Sequence, residues 1–204
     1  MRENLAATLR LLLVTDDALL GRGDVVAICQ AAVRGGVTAV QLRLKHASDS
    51  TLLDQARRLV AALHVPVFVN DRVDVALAVG AAGAHLGPDD LSPELARAIV
   101  PAGFIIGASV GSAAEIERGS AADYWGVGPL HATSTKSDAG VPLGIEGACG
   151  LLVHAGGRPC VVIGSVMPED VKPVRIAGFA GVAVSSGILA SADVEAAARR
   201  YGER

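Results

Sequence analysis

The chain of 204 residues is long enough for one large domain or at most two small ones, and 51% hydrophobic residues provide for a sizeable core, which excludes a disordered or low-complexity protein. Eighteen Lys and Arg against 21 Asp and Glu leave a formal charge of −3, so the overall balance suggests neither a nucleic-acid nor a membrane partner, and any anionic ligand must be met by local cations. Aromatic residues make up only 3% while glycines number 24, a composition of short, closely packed strands and helices and not of a surface that stacks sugars or bases.

Cys29, Cys149 and Cys160 are too few and too irregularly spaced for a disulfide framework or a zinc site, and read as reduced structural thiols. Met1-Arg2-Glu3-Asn4 carries an acid and leads into Leu9 to Val14, an apolar stretch too short for a secretory signal. No run reaches the roughly 18 apolar residues that span a bilayer. The expected location is the cytoplasm, and the composition leaves a homo-oligomer open.

In chain order, strand-length apolar runs alternate with segments of helical spacing. Arg10 to Thr15 is the first run, followed by a helix that Asp24 can cap and Gly35-Gly36 can end. Ala39 to Leu44 precedes a helix from Asp49 or Ser50, and Pro66 to Asn70 precedes one from Arg72. Ala84 to Leu86 leads to Ser92-Pro93-Glu94, a cap with proline at the first helical position. Phe104 to Ser109, Tyr124 to Val127, Cys160 to Gly164 and Gly181 to Ser185 complete the runs, with helix starts at Ser112, Glu146, Pro168-Glu169-Asp170 and Ala192-Asp193. Small-residue turns recur before alternate strands at Gly36, Gly80, Gly119 and Gly178, where a helix end must turn sharply into a buried strand. Strands apolar on both faces need helices over them, so the order predicts an α/β fold, a small single-domain (β/α)8 TIM barrel over residues 1–204 with a long, mobile sixth loop at about 128–145. An open doubly wound sheet is the structural alternative, but no G-x-G-x-x-G opens a helix and no phosphate-binding G-x-x-x-x-G-K-[ST] occurs.

Such a barrel places its chemistry at the C-terminal strand ends, and each run delivers polar residues there. Gln41, Arg43 and Lys45 alternate with apolar neighbours, so on one strand they share a face, and two cations with an amide belong in the lumen near its mouth, where they meet an anion. The alternative is that Lys45 has left the strand into solvent and Arg43 pairs with an acid across the barrel. Asn70, Asp71 and Asp90 supply hard oxygens from neighbouring strand ends and suit Mg2+, although Asp71 could instead cap the helix near Arg72, and Asp89 or Asp90 the one before Ser92-Pro93. Thr133, Thr135 and Lys136 stand in the long sixth loop, where hydroxyls and an ammonium suit phosphate oxygens; a solvated polar loop is the plain alternative. Gly164-Ser165 and Ser185-Ser186-Gly187 close the last two strands, where barrels often hold a phosphate with backbone N–H groups. His85 reads as a lumen-facing, hydrogen-bonded residue more than a proton-transfer group, and His131 could line the mouth. His46, His64 and His154 have no clustered partners and read as surface or packing residues, and Trp125 as core.

Together these motifs resemble the thiamine phosphate synthase family: Gln41-Leu-Arg-Leu-Lys45, Val69-Asn-Asp-Arg72, Gly83-Ala-His-Leu-Gly-Pro-Asp-Asp90, Gly107-Ala-Ser109, Asp123-Tyr-Trp-Gly-Val-Gly-Pro129 with Thr133-Ser-Thr-Lys136, and Gly181-Val-Ala-Val-Ser-Ser-Gly187, in family order over about Val14 to Arg200. The resemblance implies small-molecule substrates, a hydroxymethylpyrimidine diphosphate and a thiazole phosphate, joined to thiamine phosphate with release of pyrophosphate. It implies that Asp71 and Asp90 hold Mg2+, that Arg43, Lys45, Ser109 and Lys136 meet the diphosphate, that Gln41 and Asn70 orient the pyrimidine, and that Thr133, Thr135, Gly164 and Ser186, with Ser185 beside it, hold the thiazole phosphate. Three positions depart from the family pattern: Leu44 replaces an acid, Ser165 replaces the second glycine of a phosphate turn, and His131-Ala132 replaces a more apolar pair. A thiazole tautomerase on the same barrel, and a non-catalytic barrel that binds a thiamine-related phosphate, are the competing functions.

Overall fold

The computed structural model describes residues 4–132 and 140–202. Strands β1 (Leu11–Val14), β2 (Ala39–Leu42), β3 (Val67–Asn70), β4 (Gly83–Leu86), β5 (Ile105–Val110), β6 (Tyr124–Val127), β7 (Cys160–Val162) and β8 (Gly181–Val184) close in sequence order into one barrel. All neighbours are parallel, including the closing pair of β8 with β1, so the doubly wound sheet is excluded. Around them run α1 (Leu5–Thr8), α2 (Val25–Arg34), α3 (Asp49–Ala62), α4 (Val73–Ala78), α5 (Pro93–Ile99), α6 (Ala113–Arg118), α7 (Gly144–Leu152), α8 (Val171–Ile176), α9 (Ser186–Leu189) and α10 (Val194–Gly202).

Helix starts follow local chemistry. The Asp24 carboxylate accepts from the Val26 N–H at 3.2 Å ahead of α2, and the Ser48 and Ser92 hydroxyls accept from the N–H groups of Thr51 and Leu95 ahead of α3 and α5. Ser92 thus takes the capping role that Asp89 or Asp90 could have filled, and α7 begins two residues before the expected Glu146.

Strand alternation sorts the apolar side chains into two cores. One lies between strands and helices and includes Leu11, Leu13, Val40, Leu42, Val67, Val69, Trp125 and Val182. The other fills the lumen with Leu12, Val14, Ala39, Phe68, Ile105, Tyr124, Val161 and Ala183, and Leu5 and Leu9, flanking β1 from the N-terminal side, close its floor. Space in the lumen is divided between large and absent side chains: a Cβ at Gly107 would overlap the Tyr124 ring. Trp125 is core, as its surroundings in the sequence suggest, with its Nε1–H donated to the Gly119 carbonyl at 2.9 Å.

Several strands are shorter than their apolar runs. β2 ends at Leu42, so Arg43 and Lys45 lie past it and shared-face alternation does not place them. The loop after β1 does. Thr15, fully buried, accepts from the Arg43 N–H at 2.8 Å and donates to the Arg43 carbonyl at 3.2 Å, while the Asp17 carboxylate accepts from the N–H groups of Lys45 and His46 at 3.1 and 2.8 Å. Among the described residues no helix is long and apolar enough to cross a membrane.

Candidate active site

At the C-terminal strand ends one cavity opens, and every predicted site residue within the described part of the chain lines it: Gln41 on β2, Arg43 and Lys45 just beyond it, Asn70 and Asp71 at the end of β3, Asp90 beyond β4, Ser109 on β5, Gly164 beyond β7, and Ser185 and Ser186 beyond β8. Thr133, Thr135 and Lys136 lie outside the described residues, as does the middle of the expected mobile loop, residues 133–139.

Asp71 does not cap α4. The Arg72 N–H donates to the Asn70 carbonyl at 2.7 Å across a residue with φ of 63°, a three-residue turn of the strained kind that Asp tolerates better than most residues. The Asp71 N–H is tied to the His85 carbonyl of neighbouring β4 at 2.8 Å, so the turn is held by the strand that leads to Asp90. Its carboxyl lies 3.7 Å from the Lys45 ammonium. Burial pushes the Asp71 carboxyl up to about 7, helped by a hydrogen bond with Asp90 and that group's charge, and opposed by Lys45 and Arg43. Lys45 has therefore left its strand, as one sequence reading allowed, yet it reaches the acid at the mouth.

Asp90 is set by its own loop. Its carboxylate accepts from the Gly87 N–H at 2.7 Å, and the Arg118 guanidinium, at the end of α6, donates to the carbonyls of Asp90 and Gly87. Among the described residues no group of three or more His, Cys, Asp or Glu could hold a metal. Asp71 and Asp90 offer two carboxylates that repel one another when both are charged, an all-oxygen pair that suits Mg2+, which completes its octahedron with water and ligand phosphate oxygens.

Across the mouth the character changes. Gly164 has φ of 103°, and a Cβ there would stand 2.6 Å from the Pro129 Cα; Ser165 follows with φ of 48°. Ser165 thus keeps a glycine-like backbone, and an ordinary negative φ at this position is ruled out. α9 begins at Ser186, so the N–H groups of Ser186 and Gly187, both on the cavity wall, have no partner within the helix. The Ser185 hydroxyl donates to Asp16 at 3.5 Å.

The other departures lie away from the cavity. Leu44 is buried in the strand–helix core. His131 does not line the mouth as expected; its Nε2 pairs with Asp170 at 2.9 Å. His85 is buried in the lumen and hydrogen-bonded, as read from the sequence. Thr15, Asp17 and Arg118 were missed: they act on backbone groups far along the chain, and no short motif marks such contacts.

A small parallel barrel with charged and hydroxyl groups gathered at the C-terminal strand ends defines the class of (β/α)8 enzymes. The family model for thiamine monophosphate synthase matches residues 11–188. The thiamine-phosphate synthase of Azorhizobium caulinodans is 47% identical over 196 residues, covering 94% of this chain and 92% of that one, and its counterpart from Xanthobacter autotrophicus is 46% identical with the same coverage. The solved thiamine phosphate pyrophosphorylase of Pyrococcus furiosus superposes with a TM-score of 0.85 at 34% identity, covering 98% of this chain and 96% of that one. The chain belongs to the thiamine monophosphate synthase family and is an enzyme of that type.

Proposed function

We propose that this enzyme joins hydroxymethylpyrimidine diphosphate to a thiazole phosphate. The C–O bond between the pyrimidine methylene and the diphosphate breaks, pyrophosphate leaves with the bonding pair, and the thiazole nitrogen supplies the pair for the new C–N bond. The observation that carries this reading is the convergence of cations, paired carboxylates and glycine–serine turns on one cavity. A diphosphate is a poor leaving group until its charge is neutralised. Arg43 and Lys45, with Lys136 of the sixth loop, are assigned to its oxygens, and the Ser109 hydroxyl to a further one. Asp71 and Asp90 would hold Mg2+, which when bound offsets charge that builds on the departing oxygen.

Gln41 and Asn70, on adjacent strands, are assigned to the pyrimidine, whose amino-substituted ring delocalises the positive charge left by the departing group. Gly164, Ser185 and Ser186, with Thr133 and Thr135, are assigned to the thiazole phosphate. No protein nucleophile is needed: the residues bring two substrates together and keep water from the cation, which is catalysis by position and charge. The three cysteines are free thiols, which supports a reducing, cytoplasmic setting.

The test incubates the purified chain with both phosphorylated substrates, with and without Mg2+, and follows pyrophosphate and thiamine phosphate. Metal-dependent, equimolar formation of both products is expected. Isomerisation of the thiazole compound without pyrophosphate would establish a tautomerase instead, and binding without turnover a non-catalytic barrel.

A further inference from the structure

Beyond the last backbone pairing of β1 with β2, two side chains take over the hydrogen bonds. Val14 is the last residue of β1 in register with β2, opposite Gln41, and the Thr15 N–H still donates to the Gln41 carbonyl at 3.0 Å. From there the Arg43 N–H donates to the Thr15 hydroxyl at 2.8 Å and the Lys45 N–H to the Asp17 carboxylate at 3.1 Å. The two-residue spacing of Thr15 and Asp17 matches that of Arg43 and Lys45, so the alternation of a strand is carried on by side-chain acceptors. Leu42 and Leu44 are buried in the strand–helix core, while Gln41, Arg43 and Lys45 line the cavity.

Asp17 also ends this run. Its second oxygen accepts from the His46 N–H at 2.8 Å, and two successive N–H groups gathered on one anion mark a bend, because in an extended chain they point to opposite edges. Lys45 is the last residue on the cavity wall before the chain turns into α3. Asp17 is fixed in turn by a short 3-10 helix, Asp17–Gly21, whose Leu19 is buried in the same core as Leu44. The carboxylate therefore grips the main chain of Lys45, and the ammonium of that residue stands 3.7 Å from Asp71 at the mouth.

We propose that Asp17 is a positioning residue for the anionic substrate: its grip on two successive N–H groups keeps the Lys45 ammonium at the cavity mouth, where a diphosphate would sit. The diphosphate rests on the proposed synthase reading; the grip on Lys45 does not. The sign of the effect separates position from charge. An acid bonded to the backbone of Lys45 repels an anionic ligand, so removing its charge alone would tighten binding, whereas losing the position of Lys45 weakens it.

The test has two arms. In the first, amide hydrogen exchange of the full chain is followed without ligand at one pH. Exchange at Lys45 and His46 should quicken about tenfold in Asp17→Ala, while the amides of β2 keep their rates. Unchanged exchange at Lys45 and His46 overturns the proposal whether or not the chain turns over substrate. In the second, calorimetry with magnesium pyrophosphate should show Asp17→Ala binding about tenfold more weakly than the wild type. The double variant with Lys45→Ala should then bind no more weakly than Lys45→Ala alone. Tighter binding by Asp17→Ala, or additive losses in the double variant, would show that Asp17 does not act through Lys45. If Asp17→Ala fails to fold, Asp17→Asn, whose amide has one accepting oxygen in place of two, is read against the same outcomes. A wild type that binds no pyrophosphate would remove the synthase reading and this ligand with it, and the exchange rates would still decide the grip.

Discussion

Asp71 and Ser165 share a backbone property found at no other non-glycine position among the described residues: each has a positive φ, 63° and 48°, and each lines the cavity. Left-handed backbone costs an L-residue about 1–2 kcal/mol, so strain is concentrated at the mouth of the barrel, one such residue on the carboxylate side and the other in the glycine–serine turns. Asp is among the residues that accept this conformation most readily. Ser165 has no comparable ease.

At Asp71 the expected effect is pH-dependent. The folded chain holds its carboxyl proton up to about 7, against the ordinary 3.8, so stability from this group is full below about 4 and is lost as pH rises through 7. Asp71→Asn keeps the turn and removes that loss. In metal-free buffer its melting temperature should exceed that of the wild type at pH 8 and match it near pH 4. Added Mg2+ should raise the wild-type melting temperature at pH 8 and leave the variant unmoved. An equal response of both proteins to Mg2+ would remove Asp71 from the metal.

Ser165→Gly should relieve the strained backbone without disturbing the turn. A gain of about 1 kcal/mol raises the melting temperature of a chain this size by about 2–4 °C. The thiazole-phosphate KM should move less than about tenfold, or ~1.4 kcal/mol. Calorimetry and steady-state kinetics on this variant check both. A large joint gain in stability and affinity would mean that Ser165 crowds the phosphate.

Thr15→Val deletes the reciprocal pair of hydrogen bonds that holds Arg43. The Arg43 N–H loses its partner at a half-buried position, which costs about 1 kcal/mol. Melting temperature should fall accordingly and the KM for the diphosphate should rise, whereas Thr15→Ser should restore both. Normal kinetics in the valine variant would show that Arg43 keeps its place without this anchor.

Arg118→Met removes the donor that holds the Asp90 and Gly87 carbonyls. Partners of this kind, one step removed from a metal ligand, typically contribute 10–100-fold to metal affinity. The Mg2+ concentration for half-maximal activity should therefore rise by about that factor while saturating Mg2+ recovers most of the turnover. An unchanged Mg2+ requirement would show that the Gly87 N–H alone is enough to place Asp90.

The sequence by itself determined the barrel and the strand ends that matter. Apolar runs alternating with capped helices, and the absence of polar outward faces, leave closed parallel layers as the packing that buries both sides of each strand. Polar residues at the run ends then mark the mouth, which is why Gln41, Arg43, Asn70, Asp71, Asp90 and Ser109 are legible in the sequence. Tertiary structure decided how these groups meet. Lys45 lies beyond β2 and reaches Asp71 because Asp17, from the loop after β1, holds its backbone. Whether Asp71 capped a helix or faced Asp90 depended on a three-residue turn, and the approach of Pro129 decided that position 164 has no room for a side chain. The hydrogen bonds from Tyr124 through His85 to Ser109 join three strands whose relative height is set by the barrel's register. Local sequence sets which way a side chain points on its own strand; only closure of the barrel sets which side chains stand level with one another.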